Sequence, residues 1–403
     1  MITIYSPVSP KIGKIAVIGP FANIKEFAYS DYSYPAHIED MFHLTKMLTE
    51  DEVIATTLFF KKENTQFDDL FNETKTIYQA ICDIVSEETE VFYAKGLTDT
   101  CNYHNDPDFY HLEEAIRAAS QADIVISVCG DTSGIGRDND SGESVDRAEI
   151  HLSNEQQTLL KALKNIGKPI VLILCNGRPL SLSYESEHMN AILEAWRPGM
   201  EGADAIAETL FGQSNPGGKL PVTLPKCIGQ LPMYYSQHAT GKKQFWRNTY
   251  LEVDTKPLYP FGYGLSYTSF TFEDILMTQQ EEGISVNLTL YNNGSIDGDE
   301  VIQLYVRKRF TTVIQPEREL KAYKRLFVKK GKRIRVSFEL FLDSLCYHNL
   351  KNQLGLENCQ LDVLVGSSSE DICFEQSFRL YFEDGIRLVK RRIFTNPAYI
   401  ISD

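Results

Sequence analysis

The residue of this chain most suited to chemistry is Glu143. It ends a long polar loop, Gly130-Asp131-Thr132-Ser133-Gly134-Ile135-Gly136-Arg137-Asp138-Asn139-Asp140-Ser141-Gly142, that leaves an apolar run closing at Cys129. A carboxyl on such a loop can exchange a proton with a ligand brought against it, and the flanking glycines permit close approach to another surface. The same pattern fits an ordinary loop acid that caps the following turn, and the residues alone leave both readings open. Just beyond, Asp146 and Arg147 can pair locally and orient the loop. The plainer alternative there is an exposed ion pair worth roughly 0–1 kcal/mol.

Other chemistries lack their residues. Gly19-Pro20-Phe21-Ala22-Asn23 follows a strand-like run but fails the GxGxxG pattern, and Pro20 removes an amide that a phosphate would use. Gly130 to Gly136 lacks the Gly-Lys-Ser/Thr of a P-loop. His37, His151, His188 and His238 have no ligand spacing, and the eight cysteines form no CxxC pair. Asn287-Leu288-Thr289 and Asn293-Gly294-Ser295 match glycosylation sequons, a pattern frequent by chance, and read as strand and turn residues.

The elements that must position Glu143 come in two halves. From about residue 12 to about 230, short apolar runs alternate with helical patterns. Lys14 to Ile18, Glu90 to Ala94, Ile124 to Cys129, Ile170 to Cys175 and Ala191 to Trp196 read as strands, the continuously apolar ones buried on both faces. Leu112 to Ala119 and Ser153 to Leu163 read as helices. The second has a Ser cap, a Gln at its third helical position and a Gly-Lys-Pro stop. This alternation predicts a doubly wound, largely parallel sheet, whose ligand sites gather in loops after the strand C-termini. After residue 230 the Pro-, Gly- and Tyr-rich stretch Leu258 to Tyr267 reads as a linker. The apolar period then becomes two in Ile284 to Tyr291, Val301 to Val306 and Arg333 to Leu340, with a turn at Asn292-Asn293-Gly294, which predicts an immunoglobulin-like sandwich.

A length of 403 residues suggests two domains. Forty Lys and Arg against 55 Asp and Glu give a net charge of −15, which repels a phosphate backbone and argues against nucleic acid as a partner. The short basic runs Lys329 to Arg333 and Lys390 to Arg392 read as solvated faces. No stretch has the roughly 18 apolar residues of a membrane span, and no signal pattern opens the sequence. With Cys129 and Cys175 inside apolar runs, a reducing, cytoplasmic setting is the expectation.

The order of these segments resembles the C-terminal half of a family 3 glycoside hydrolase of the β-glucosidase type, over nearly the whole chain. Lys14 to Pro20 resembles the opening strand of that family's α/β sandwich domain, and Gly142-Glu143-Ser144-Val145-Asp146-Arg147 resembles its acid/base loop. Asn176-Gly177-Arg178-Pro179-Leu180, Ala195 to Gly202 and Asn215 to Pro221 follow in the family's order. Tyr259 to Tyr267 resembles the junction to its fibronectin type III-like domain. The resemblance implies an α/β sandwich domain over 1–232, a linker over 233–266, a fibronectin type III-like domain over 267–386 and a tail over 387–403.

It also implies a function. Glu143 would be the acid/base carboxyl of a retaining β-glycosidase, supported by Asp146 and Arg147, with a carbohydrate as substrate and no metal or cofactor. The family's barrel domain, which holds the aspartate nucleophile, has no counterpart in this sequence. The expectation is therefore a partner chain carrying that barrel, and an isolated chain that hydrolyses nothing. Ser30-Asp31-Tyr32 superficially resembles the nucleophile signature but lies in the wrong place, after the opening strand. Its neighbours Tyr32, Tyr34 and Pro35 suit either core packing or contact with a sugar face. The alternative to an enzyme half is a non-catalytic module that binds carbohydrate or packs against a partner.

Overall fold

The computed structural model describes residues 7–29, 33–34, 37–38, 71, 73–97, 111–135, 140–143, 146–238, 250–391 and 395–401. The chain divides into two compact units, Met1–Ser214 and Asn215–Asp403.

The first unit is built on five parallel strands: β1 (Lys14–Ile18), β2 (Glu90–Ala94), β3 (Ile124–Gly130), β6 (Ile170–Cys175) and β7 (Ala191–Glu194), ordered β2-β1-β3-β6-β7. Every residue of β3 and β6 is buried, whereas the edge strands β2 and β7 are partly exposed. That gradient explains why the central strands carry unbroken Val, Ile and Leu: helices cover both of their faces. Helix α1 (Ile77–Ile84) packs on α5 (Gly202–Leu210), and α2 (Leu112–Gln121) packs on α3 (Asn154–Lys164); α4 (Ser183–His188) precedes β7. Ile15, Val17, Ile126, Val128 and Ile173 pack with Ile77, Ile81, Ile206 and Leu210 in one core.

Caps set the helix starts. Thr76 and Gln79 form a reciprocal capping box ahead of α1, and Ser153 Oγ accepts the Gln156 N–H at 3.3 Å ahead of α3. The strand order reverses direction between β1 and β3, so the loops leaving the C-terminal ends of those two strands flank the crevice where doubly wound sheets bind ligands. The loop carrying Glu143 is one of them.

The second unit is an antiparallel sandwich. One sheet is ordered β11-β10-β15-β16 and the other β18-β12-β9-β8, from β8 (Phe270–Gln279), β9 (Gly283–Asn292), β10 (Gly298–Arg309), β11 (Glu319–Val328), β12 (Arg333–Phe341), β15 (Cys359–Gly366), β16 (Ile372–Leu380) and β18 (Ala398–Ile401). A three-stranded sheet of β13 (Tyr347–His348), β14 (Leu354–Glu357) and β17 (Ile386–Leu388) accompanies them. Alternate residues such as Val286, Leu288, Leu290, Val336 and Phe338 meet Ile302, Leu304, Leu361 and Val363 in the core.

Two boundaries differ from the expectation. The unit boundary after Ser214 lies ahead of residue 232, because Asn215 belongs by its bonds to the sandwich: its Oδ1 accepts the Tyr267 N–H at 2.9 Å, and Lys219 ion-pairs with Glu300 at 2.9 Å. Within 387–403, read as a tail, β18 pairs with β12. The aromatic stretch packs on the same unit, with Tyr235 stacked on Phe261 at 4.2 Å and edge-on to Tyr305.

Candidate functional site

The loop that bears Glu143 is anchored at its root. The Gln156 side-chain amide accepts the Gly130 N–H at 2.9 Å and donates to the Gly130 carbonyl at 2.7 Å. The glutamine read from sequence as a capping residue thus ties α3 to the last residue of β3. Gly130 admits no other residue, since a Cβ there would lie 1.9 Å from the Cys175 carbonyl oxygen. One residue on, the Asp131 N–H donates to that same carbonyl at 3.1 Å.

Two buried carboxylates then organise the loop. Asp131 is 2% exposed and its Oδ2 ion-pairs with Arg178 Nε at 2.7 Å. Burial raises its carboxyl above the usual range, against the opposing pull of Arg178. Arg197 donates to the Asp131 carbonyl and, at 3.3 Å, to that of Phe27 in the loop after β1. The second carboxylate, Asp140, accepts the Thr132 N–H at 3.0 Å and the Thr132 hydroxyl at 3.1 Å, and its Oδ1 pairs with the Arg147 guanidinium. Arg147 Nε also donates to the Asp140 carbonyl at 2.9 Å.

Between these anchors runs a small parallel ladder, β4 (Ser133–Ile135) with β5 (Ser141–Glu143), in which Glu143 is registered against Ile135. Glu143 is exposed at the end of β5. The two supporting residues act differently from the local pair that the sequence suggests. Asp146 accepts the backbone N–H of Arg147 at 2.8 Å, while the Arg147 guanidinium reaches back to Asp140. Asp31, Tyr32 and Pro35 lie outside the described residues, and Tyr34 is 73% exposed.

A further acid stands at the C-terminal end of β7, far along the chain from the Glu143 loop. Glu194 is partly exposed as a residue, but its Oε2 is sealed from solvent and, among the described residues, makes no hydrogen bond of good geometry; the same holds for Asn176 Oδ1 just after β6. The Asn176 side chain offsets only part of the cost of burying the acid. Burial pushes the Glu194 carboxyl up to about 8, so it stays protonated at neutral pH. Its Oε1 accepts the Trp196 N–H at 3.4 Å, and Trp196 holds a left-handed φ of 53°, a strained backbone of the kind that clusters at functional sites. Sequence reasoning gave no role at the site to Asp131, Asp140, Arg178, Glu194 or Arg197, and read Gln156 only as a helix-start residue. The available signal was an acid or amide directly after an all-apolar strand, as at Asp131 and Asn176. Among the described residues no group of three His, Cys, Asp or Glu side chains converges as a metal site would.

Residues 6–267 match the glycosyl hydrolase family 3 C-terminal domain, and residues 300–369 match a fibronectin type III-like domain. The chain belongs to glycoside hydrolase family 3. Its relatives include a periplasmic β-glucosidase of Salmonella typhimurium, 36% identical over an alignment of 324 residues that covers 74% of this chain and 42% of that protein. A β-xylosidase of Formosa agariphila is 36% identical over an alignment of 297 residues that covers 71% of this chain and 39% of its own length. Among solved structures, a β-glucosidase from Listeria innocua in complex with isofagomine superimposes with a TM-score of 0.74 at 26% identity, over 93% of this chain and 46% of that one. This family 3 chain therefore spans less than half the length of these relatives. Its α/β sandwich followed by antiparallel sheets is the architecture that the family likeness implies.

Proposed function

We propose that this chain contributes the proton-transferring half of a retaining β-glycosidase, with Glu143 as acid/base and with β-linked glucosides or xylosides as the substrate class. A retaining glycosidase needs two carboxyl groups about 5–5.5 Å apart, one to attack the anomeric carbon and one to protonate the leaving oxygen and then activate water. The observation that carries the reading is the setting of Glu143. An exposed carboxyl ends a ladder on a loop that leaves the sheet beside its switch point, and two buried carboxylates hold that loop. The names of the relatives, β-glucosidase and β-xylosidase, support the substrate class.

The nucleophile comes, in this reading, from a family 3 barrel that meets the chain as a partner, and without it the chain is inactive. Asp146 and Arg147 support Glu143 by bracing the far side of its loop. Seven described cysteines are free thiols, which supports a reducing, cytoplasmic setting, although the Salmonella relative is named as periplasmic. The test is reconstitution. The chain is mixed with a family 3 barrel protein and assayed on nitrophenyl β-glucoside and β-xyloside, with complex formation followed by size exclusion. Activity that appears only in the mixture is the expected result. A complex that binds cellobiose in calorimetry without turnover would replace the enzyme reading with a carbohydrate-binding one.

A further inference from the structure

Arg178 belongs to a motif that has no assigned role, yet its guanidinium touches both legs of the Glu143 loop. Nε meets Asp131 Oδ2 at 2.7 Å on the outgoing leg, and Nη1 donates to the Glu149 carbonyl at 3.1 Å on the returning leg. The next residues continue the seam, with the Ser181 N–H donating to the Ile150 carbonyl at 2.6 Å. Both partners of the ion pair are removed from solvent, Asp131 almost wholly and Arg178 to 17% exposure. Asp131 is further pinned through its backbone by Arg197 and by the Cys175 carbonyl.

We infer that Arg178 and Asp131 are positioning residues: they clamp the two legs of the loop together at its base and so set where the Glu143 carboxyl stands. The inference rests on the acid/base reading of Glu143. The chemistry favours arginine here because one planar guanidinium presents Nε and Nη1 in different directions at once, whereas a lysine ammonium reaches one leg or the other. The clamp differs from the bracing by Arg147, which joins Asp140 to the returning leg beyond the ladder. With Arg178 gone, the Asp131 carboxyl loses its ion pair, is left with the weaker attraction of Arg147 and Arg197, and no longer holds the two legs together at the sheet. Misplacement of a reacting group by about 1 Å can cost on the order of 100-fold in rate, so a small release at the base is enough to matter.

The test uses Arg178→Lys, Arg178→Met and Asp131→Asn. Amide exchange is read on the chain itself, and kinetics are read on the chain assembled with a family 3 barrel. In the variants, peptides covering 131–135 and 146–150 should exchange about tenfold faster while β6 keeps its wild-type protection, as expected of local opening. The kcat/KM for methyl β-glucoside should fall by about tenfold or more, because its leaving group needs the proton, and that for dinitrophenyl β-glucoside should change by less than about twofold. A merely structural role would lower both substrates alike, and that result overturns the inference, as does unchanged exchange of the loop in all three variants. If Arg178→Met fails to fold, Arg178→Lys and Asp131→Asn carry the same comparison. A wild-type assembly with no activity would remove the acid/base reading alone, and the clamp would then stand or fall on exchange.

Discussion

Each unit buries a carboxyl, and the two are treated in opposite ways. In the sandwich, Asp362 accepts from Arg307 Nε at 2.9 Å, Arg309 Nε at 2.7 Å, Gln360 Nε2 at 2.9 Å and Ser377 Oγ at 2.6 Å. Burial alone would raise its pKa, but those donors hold it down at about 2. In the α/β unit, Glu194 has one oxygen sealed from solvent and is pushed up to about 8 by burial, and Asp131 is raised as well. A fully satisfied acid is a structural tie between strands. An acid left short of donors at the C-terminal edge of a parallel sheet, as Glu194 is, is costly to keep, which suits the part of the fold where the chemistry is proposed.

The largest effect that sharpens this contrast is on stability. Asp362→Ala leaves two arginines facing an emptied site and should cost about 3 kcal/mol, the low end for breaking a buried pair, because Arg309 remains half exposed. Urea unfolding monitored on the sandwich should report that loss, and glycosidase activity of the assembled protein at low urea should be unchanged. A loss of activity without a loss of stability would erase the distinction between the units.

The next test is pH. Because the folded state of Glu194 holds a proton from its ordinary 4.5 up to about 8, its contribution is complete below about 4.5 and is lost as pH rises through about 8. The sign for Asp362 is reversed: its contribution is present above its ordinary 3.8 and is lost as pH falls through about 2. Melting curves should therefore show the α/β unit weakening toward alkaline pH and the sandwich weakening toward strong acid. Glu194→Gln, which keeps the shape and removes the titration, should flatten only the alkaline slope. An alkaline slope unchanged by Glu194→Gln would remove Glu194 as its cause.

The smallest effect separates the two jobs of the Ser153–Gln156 turn. Ser153→Ala removes the cap of α3 and should cost about 1 kcal/mol. Gln156→Leu should cost more, because it strands both backbone groups of Gly130 in the interior. Equal losses in chemical denaturation would mean that the amide bracket at Gly130 is worth no more than a helix cap.

These features were unequally legible in the sequence. Strands β3 and β6 announced themselves because parallel strands covered on both faces must be apolar throughout, and β9 and β12 because a half-buried strand alternates. Asn215 to Pro221 carries no period of either kind, so its attachment to the sandwich, through Asn215 and Lys219, could not be read. Likewise β18 follows the basic run at Lys390, which obscured a four-residue strand. Around the proposed site, the loop of Glu143 was visible through its flanking glycines. The Arg178–Asp131 contact was not, because it joins residues far apart in the chain that the parallel register of β3 and β6 brings together, and the Gln156–Gly130 bracket depends on where α3 lies beside β3.

The most direct test of the account is the leaving-group dependence of Glu143→Gln in the chain assembled with a family 3 barrel. The expected result is a fall in kcat/KM of about 100-fold to 10,000-fold on methyl β-glucoside, with little change on dinitrophenyl β-glucoside, whose leaving group departs without a proton. Equal losses on both substrates would contradict an acid role for Glu143.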